Sequence, residues 1–297
     1  MFFRLICFIL IVILIYNILQ PRSLEQFKNK PLVIFLFTGN ARSSPFAHNP
    51  VSSSKKILDS YDRYIFTDEF KSHYDYKVYM SSDDIHLENT KKYFSNHIGN
   101  IHLLETDFYL HTSEIKTKDV QIYLEEYNKK DWSSHQKYDN SIYQHHKIID
   151  SYNLFLNDNI QCDYIVRLRF DIEFNKDIVE LLGNFKKFPE LQLLLDWDIF
   201  AIGKPDIMKT YCTGLENNYG NYNYNVKVGK DLPVMKDYHE VDRHRWTYAP
   251  ERQLFEMLYD YCVSNNLDIN KTIHSMEGAS KIVRTEESMK DYFQKNP

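Results

Sequence analysis

The stretch "YIVRLRFDIEF", residues 164–174, has the alternating pattern of a β-strand that runs from an apolar core to a charged end. If the stretch is extended, successive side chains point to opposite faces. One face then carries only apolar side chains, and the other carries two arginines followed by two carboxylates. The apolar residues are Val166, Leu168, Phe170, Ile172 and Phe174, and the charged residues are Arg167, Arg169, Asp171 and Glu173. The pattern therefore predicts a central strand with one buried face and one charged face.

Other strand patterns alternate with helix patterns along the chain. The continuous apolar run "LVIFLFTG" (32–39) is typical of a strand that is buried on both faces. Further strands are predicted at 63–68, 77–83, 100–106 and 191–203, and helices at 141–158, 177–185, 205–214 and 250–262. Strands that alternate with helices predict an α/β fold with a single, mainly parallel sheet.

Composition excludes several classes of protein. With 297 residues, 43% hydrophobic and 26% charged, the chain is long and apolar enough to bury a full core. A net charge of -5 gives no reason to propose nucleic acid as a partner. The sequence has no Cys-x-x-Cys pair, no Walker-type glycine loop and no Gly-x-Gly-x-x-Gly motif, which argues against zinc ribbons, kinases and dehydrogenases.

The first twenty residues differ in character from the rest. Together with Phe2 and Phe3, the run "LICFILIVILIYNIL" (5–19) is just long enough to cross a bilayer, and no small-x-small cleavage site follows it. An uncleaved signal anchor is therefore favoured over a cleaved signal peptide. This predicts an anchor at 1–20, a polar stem at 21–30 and one globular domain at 31–297, so that the membrane is a partner through the N-terminal helix.

Polar residues follow the first predicted strand. In sheets of this class, ligands bind at the carboxyl ends of the strands. Gly39 and Arg42, in "TGNAR", could approach a nucleotide or a phosphate there. A tight turn with a solvated arginine is the alternative.

The charged end of the opening stretch suggests a metal and diphosphate site. Asp171 and Glu173 on one strand face could reach the same divalent cation, which prefers oxygen ligands. Arg167 and Arg169 could pair bidentately with diphosphate oxygens. An ion-pair ladder on a solvated face is the structural alternative.

Three further residues are candidates with equally plain alternatives. Asp198 lies late in the predicted strand 191–203 but could simply accept a hydrogen bond from a backbone turn, as could Asp196. Glu251 falls in a first helical turn, where the helix dipole favours a carboxylate in any case. His274 is a metal-ligand candidate, although a lone histidine is more often a surface or core residue.

The order of these motifs resembles a group of glycosyltransferase-like proteins of GT-A type. The group includes lipopolysaccharide-synthesis-type bacterial proteins, plant proteins of unassigned function and large-DNA-virus proteins. The resemblance covers most of residues 31–285, and its marks are "LVIFLFTGNAR", "YQHHKIIDSYNLF", the Arg-x-Arg-x-Asp of 167–171, "DIFAIG" and "PERQLFEMLY". Family members commonly have Arg-Pro-Asp where this chain has Arg-Phe-Asp, and Glu173 is not a fixed feature of the pattern.

The resemblance implies transfer of a sugar from a nucleotide sugar to a glycan, protein or lipid acceptor. Asp171 would then hold Mn²⁺ or Mg²⁺, and the two arginines would bind the diphosphate. In an inverting enzyme, Asp198 or Glu251 would act as the base on the acceptor hydroxyl; the sequence leaves inverting and retaining chemistry open. The loop 216–248 could close over the donor. The similarity to type II transferases also predicts a single-pass protein whose body lies in a secretory or virus-assembly lumen.

Two other functional classes fit the same sequence features. A membrane-anchored glycan-binding protein could keep the fold without catalysis. A metal-dependent nucleotidyl or phosphoryl transferase would use the same carboxylates.

Overall fold

The computed structural model describes residues 30–39, 44–50, 54–103, 139–196, 198–214, 250–276 and 278–282. Its strands are β1 (Leu32–Thr38), β2 (Asp75–Ser82), β3 (Ile98–Leu103), β4 (Tyr164–Arg169), β5 (Ile172–Phe174), β6 (Leu193–Asp196), β7 (Phe200–Gly203), β8 (Ile273–Ser275) and β9 (Ser280–Ile282). Its helices are α1 (Ser54–Tyr64), α2 (Asp68–His73), α3 (Leu87–Phe94), α4 (Asp139–Asn157), α5 (Ile178–Lys187), α6 (Pro205–Thr213), α7 (Pro250–Ser264) and α8 (Ile269–Thr272), with a 3₁₀ turn at Ser95–His97.

Seven strands form one mixed sheet in the order β3-β2-β1-β4-β7-β6-β8. Strands β1, β2, β3 and β4 are mutually parallel, and β7 is antiparallel to both of its neighbours, β4 and β6. Because β8 is parallel to β6, the described sheet has β7 as its one antiparallel strand. The predicted α/β fold with a mainly parallel sheet is confirmed.

The sheet is covered on both faces, as the apolar run of β1 predicts. Val33, Phe35 and Phe37 belong to one buried cluster, and Ile34 and Leu36 belong to the cluster on the opposite face. Helices α4, α6 and α7 supply much of this second cluster. A strand buried on both faces has no solvated side, so any polar side chain within it needs a partner inside the protein.

The opening stretch forms two strands, whereas the pattern predicts one. β4 ends at Arg169, residues 170 and 171 form a turn, and β5 pairs separately with β9. The predicted apolar row is confirmed, because all five of its members are buried in the same cluster. The predicted open charged face is wrong at Arg167, whose side chain is completely buried beneath the second cluster's helices.

The predicted single strand 191–203 is also wrong. The chain reverses between Asp196 and Phe200, so that β6 and β7 form an antiparallel hairpin in which these two residues pair. The backbone N–H of Ile199 donates to the carbonyl of Asp196 and closes the turn. No glycine or proline marks this turn, so the apolar run on either side of it gives no local signal of reversal.

The strand predicted at 63–68 is wrong as well. Helix α1 continues to Tyr64, and α2 begins at Asp68 after a three-residue connection. The Thr67 hydroxyl accepts a hydrogen bond from the backbone N–H of Phe70 and caps α2. Ile65 and Phe66 are buried in the connection, which explains why the stretch resembles a strand in sequence.

Helix α4 brings its first turns to the carboxyl edge of the sheet. A short connection, residues 158–163, joins its last residue, Asn157, to the start of β4. The helix therefore ends beside the amino ends of the parallel strands and begins beside their carboxyl ends. The predicted helices at 141–158, 177–185, 205–214 and 250–262 correspond to α4, α5, α6 and α7.

Several predictions fall outside the described residues. They concern the anchor at 1–20, the stem up to residue 29 and the loop 216–248. In the part of the chain that the structure describes, no helix has the length and apolar character needed to cross a membrane.

Candidate active site

The carboxyl edge of the central strands gathers most of the polar residues that the sequence singles out. β1 and β4 are parallel and end together, with Thr38 paired to Arg169. β7 runs the opposite way and pairs Phe200 with Leu168, so the β6–β7 turn lies just beyond the end of β4. The hairpin therefore carries Asp198 to the same edge as Arg169.

Arg169 and Asp171 form a two-point ion pair at the end of β4. Arg169 Nε donates to Asp171 Oδ1 at 2.8 Å, and Arg169 Nη2 donates to Asp171 Oδ2 at 2.8 Å. Their side chains are 24% and 21% exposed, so both remain open to solvent. The buried Tyr61 hydroxyl donates to the Arg169 carbonyl at 3.4 Å and supports the strand end from below. The ion-pair alternative in the sequence is thus observed between these two residues.

Gln144, in the first turns of α4, bridges this ion pair to Asp198. Its Oε1 accepts a hydrogen bond from Arg169 Nη1 at 3.1 Å. Its Nε2 donates to Asp198 Oδ2 at 2.8 Å and to the Asp198 carbonyl at 3.4 Å. One amide therefore links the strand end to the hairpin turn.

Arg167 supports the site from inside the protein. Its Nε donates to Thr38 Oγ1 at 3.1 Å, and its Nη1 donates to the Asp198 carbonyl and, at 3.5 Å, to the Tyr211 hydroxyl. Its Nη2 is buried without a hydrogen-bond partner. A guanidinium keeps its charge at any ordinary pH, so Arg167 holds a buried positive charge under the Asp198 turn.

This buried charge acts on the ionisable groups around it. Burial, opposed by Asp198 and reinforced by Arg167, lowers the pKa of His145 to about 3, so the imidazole is neutral near pH 7. Burial raises the pKa of the Tyr211 hydroxyl to about 12, and nearby Arg167 limits that rise. Burial and then the negative charge of Asp171 raise the pKa of Tyr61 well above its ordinary value. His145, Tyr211 and Tyr61 are therefore neutral groups near Arg169, Asp171 and Asp198.

Gly39 follows the end of β1 and has a φ of 115°, a conformation that residues with a side chain rarely adopt. An added Cβ there would meet no atom of the described residues within 4 Å. The approach of a nucleotide or phosphate to Gly39 stays a prediction. Arg42 lies outside the described residues.

Asp196 has a structural role. It is buried, and its Oδ2 accepts hydrogen bonds from the backbone N–H of Ser280 at 3.2 Å and from the Ser280 hydroxyl at 2.8 Å. These bonds attach β9 to the end of β6. Asp196 is therefore a hydrogen-bond acceptor within the fold, which is the structural alternative given for it above.

One of the predicted metal ligands, His274, lies apart from Asp171. His274 is in β8, three strands from β4 and so about 14 Å away at ~4.8 Å per strand. Its ring contacts Phe188 edge-on, with the centroids 5.8 Å apart. Glu173 lies in β5, in register with Lys281 of β9. Glu251 is the second residue of α7, and its side chain is outside the described part.

The described residues contain no group of three or more His, Cys, Asp or Glu side chains arranged to hold a metal. Mg²⁺ is commonly bound by one or two carboxylates together with substrate phosphates, and it then needs no such group. Asp171, a half-exposed carboxylate at a strand end, suits that smaller donor set. Its two oxygens face Arg169, so a bound cation would share the carboxylate with the guanidinium.

Sequence reasoning missed Gln144 and Thr38. A polar residue in the first turns of a helix that leads into a parallel strand is a usable signal, because such a helix begins at the carboxyl edge. Thr38 is the last residue of β1 and could have been found by the same rule that selected Gly39. The residue after Gln144, His145, is buried.

No protein-family model matches the chain, and no protein of curated function matches it. Solved structures are similar at low identity. Mouse xyloside xylosyltransferase 1 is 11% identical with a TM-score of 0.35, over 83% of this chain and 84% of that chain. A putative glucose-1-phosphate thymidylyltransferase from Bacillus anthracis is 9% identical with a TM-score of 0.37, over 90% and 96%. A 4-diphosphocytidyl-2C-methyl-D-erythritol synthase from Anaerococcus prevotii is 10% identical with a TM-score of 0.39, over 90% and 100%. These TM-scores are too low to support an argument about function. The proposal below therefore rests on the residues at the carboxyl edge of the sheet.

Proposed function

We propose that the protein is a GT-A-type glycosyltransferase that moves a sugar from a nucleotide-sugar donor to a hydroxyl of a glycan, protein or lipid acceptor. The observation that carries the proposal is the meeting of Arg169, Asp171 and Asp198 at the carboxyl edge of the sheet. Glycosyl transfer requires stabilisation of a leaving diphosphate and a base for the acceptor hydroxyl. These three residues supply both kinds of charge within one hydrogen-bonded network.

Arg169 is the diphosphate partner in this proposal. Its side chain is partly exposed, and Arg169 pairs with Thr38, the residue before Gly39, on the neighbouring strand. An arginine fork binds phosphate oxygens bidentately. Arg167 is completely buried, and its bonds to Thr38 and Asp198 give it a supporting role beneath the site.

Asp198 is the proposed base. As the acceptor hydroxyl attacks the anomeric carbon, Asp198 takes the hydroxyl proton, and the bond between that carbon and the diphosphate oxygen breaks. The electron pair leaves with the diphosphate, whose growing charge Arg169 neutralises. Asp171 would hold Mn²⁺ or Mg²⁺, which when bound supplies further positive charge to the diphosphate.

A ligand panel on the purified full chain tests the proposal. UDP- and GDP-sugars, with and without Mn²⁺, should raise the melting temperature. When a panel of glycan, protein and lipid acceptors is added, a coupled assay should detect released nucleoside diphosphate. Nucleoside triphosphates with sugar 1-phosphates should release no pyrophosphate. Pyrophosphate release would assign a nucleotidyl transferase instead, and stabilisation by free glycans alone would assign a non-catalytic binding protein.

A further inference from the structure

We infer that Gln144 is a positioning residue that links the diphosphate-binding arginine to the catalytic carboxylate. The inference rests on the proposed function and adds a residue to that site. Gln144 contacts both groups at once, Arg169 at 3.1 Å and Asp198 at 2.8 Å. No other described side chain is hydrogen-bonded to the side chains of both residues.

The chemistry of the amide suits this role and is hard to replace. A primary amide has an acceptor oxygen for the positive Arg169 and donor hydrogens for the negative Asp198. A glutamate in the same place would keep the acceptor and lose the donor, so it would put a second negative charge against Asp198. A leucine would lose both bonds while keeping a similar size.

The position of Gln144 on α4 makes the link rigid. The residues that follow it, His145 and Lys147 to Ile149, are buried against the sheet. Arg167 also donates to the Asp198 carbonyl and so holds the same turn. A side chain on a packed helix places its partners more accurately than one on a loop.

Two measurable effects distinguish a positioning role of Gln144 from a role in packing alone. Loss of the donor alone should disturb Asp198 and lower kcat, with little effect on donor binding. Loss of both bonds should also loosen Arg169 and weaken diphosphate binding. A purely structural glutamine would show neither separation.

The test compares Gln144→Glu, Gln144→Leu and the wild type as full chains. Calorimetry measures the Kd of UDP and GDP, and initial rates give kcat and KM for the donor that the ligand panel identifies. Gln144→Glu should lower kcat roughly 10- to 100-fold, the factor for a hydrogen bond to a charged group, with Kd within about threefold of wild type. Gln144→Leu should lower kcat similarly and raise Kd by about tenfold.

Gln192→Leu is the matched control. Gln192 is also half-buried, and its Oε1 accepts a hydrogen bond from the Tyr261 hydroxyl at 3.3 Å, but it precedes β6 and so lies at the opposite edge of the sheet. Gln192→Leu should therefore leave kcat and the Kd of UDP and GDP unchanged. Circular dichroism checks each fold, and Gln144→Glu alone carries the test if Gln144→Leu does not fold.

The outcomes separate a failure of the positioning role of Gln144 from a failure of the proposed function. An active wild type with unchanged kcat in Gln144→Glu would overturn the positioning role, and so would equal losses in the Gln192 control. A wild type that neither binds diphosphate nor turns over any donor would overturn the proposed function and this inference with it.

Discussion

Arg169 donates two hydrogen bonds of 2.8 Å to Asp171, so the end of β4 carries an arginine and a carboxylate whose charges neutralise each other. Ion pairs at partly exposed positions contribute little to stability. The ligand binding that we propose for this pair would therefore cost the fold little stability. In the proposed site, the Arg169 guanidinium would turn from Asp171 to an incoming diphosphate, and the Asp171 carboxylate would then bind a cation.

Asp171→Asn should abolish transfer and leave the fold intact. The change removes one negative charge and keeps the shape of the side chain, so we expect a loss in kcat of about 100-fold or more. Initial rates at saturating Mn²⁺ measure the effect. Asp158→Asn is the control, because Asp158 accepts a 2.6 Å hydrogen bond from Tyr79 away from the edge. Wild-type rates in Asp171→Asn would rule out a metal-binding or charge-balancing role.

Arg169→Ala should weaken diphosphate binding by about 1.5–3 kcal/mol, the range for hydrogen bonds to charged groups. Calorimetry with UDP and GDP gives the difference directly. Arg169→Lys keeps the charge but loses the fork, and it should recover only part of the affinity. Arg63→Ala, which removes an exposed arginine from the end of α1, should change nothing. Equal affinity in Arg169→Ala and wild type would return Arg169 to a structural ion pair.

His145 should make the protein less stable as the pH falls. Burial lowers its pKa in the folded state from 6.5 to about 3, so below pH 6.5 the unfolded chain binds a proton that the folded chain does not. The free energy of unfolding then falls with decreasing pH, by up to about 1.4 kcal/mol per unit between pH 6.5 and 3.

Urea unfolding at pH 7.5 and pH 5 measures this dependence. Wild type should lose about 2 kcal/mol from this group over that interval. His145→Gln should remove this part of the loss. The control His73→Gln changes an exposed histidine and should keep the pH dependence of wild type. An identical pH dependence in His145→Gln and wild type would contradict a buried neutral imidazole.

The sequence predicts strands best where burial on both faces leaves no alternative. The run at 32–39 contains almost only apolar residues, and it forms β1 between two cores. The run at 191–203 looks the same, yet the chain reverses within it. The reversal depends on pairing with β4 and β8, which are distant in sequence, and no local residue type records those contacts.

The residues of the candidate site also differ in whether the sequence could predict them. Arg169, Asp171 and Asp198 could be predicted because each is a charged residue at the end of an apolar run. Gln144 could not be predicted in this way, because its role depends on where α4 begins relative to the sheet. Arg167 shows a second limit, since alternation assigns its face correctly but does not reveal that helices cover that face.

Removal of residues 1–30 should give a soluble protein with full activity. The apolar run at 5–19 is the proposed anchor, and the first strand begins only at Leu32. Leu32 is held without any residue before it, because its N–H donates to Asp163 Oδ2 at 2.8 Å and its carbonyl accepts from the Asp163 N–H at 2.9 Å. Donor turnover by the shortened and full-length chains, and their partition between membrane and soluble fractions, measure the effect.

Protease treatment of the full-length protein in microsomes tests the proposed lumenal side of the body. Trypsin should digest the body only after detergent is added, and the single Asn-x-Thr acceptor, Asn270, should be available to the glycosylation machinery. Asn270→Gln is the control for any shift in mobility. Digestion without detergent would place the body on the other side of the membrane. A mature N-terminus beyond residue 20 would show a cleaved signal peptide in place of an anchor.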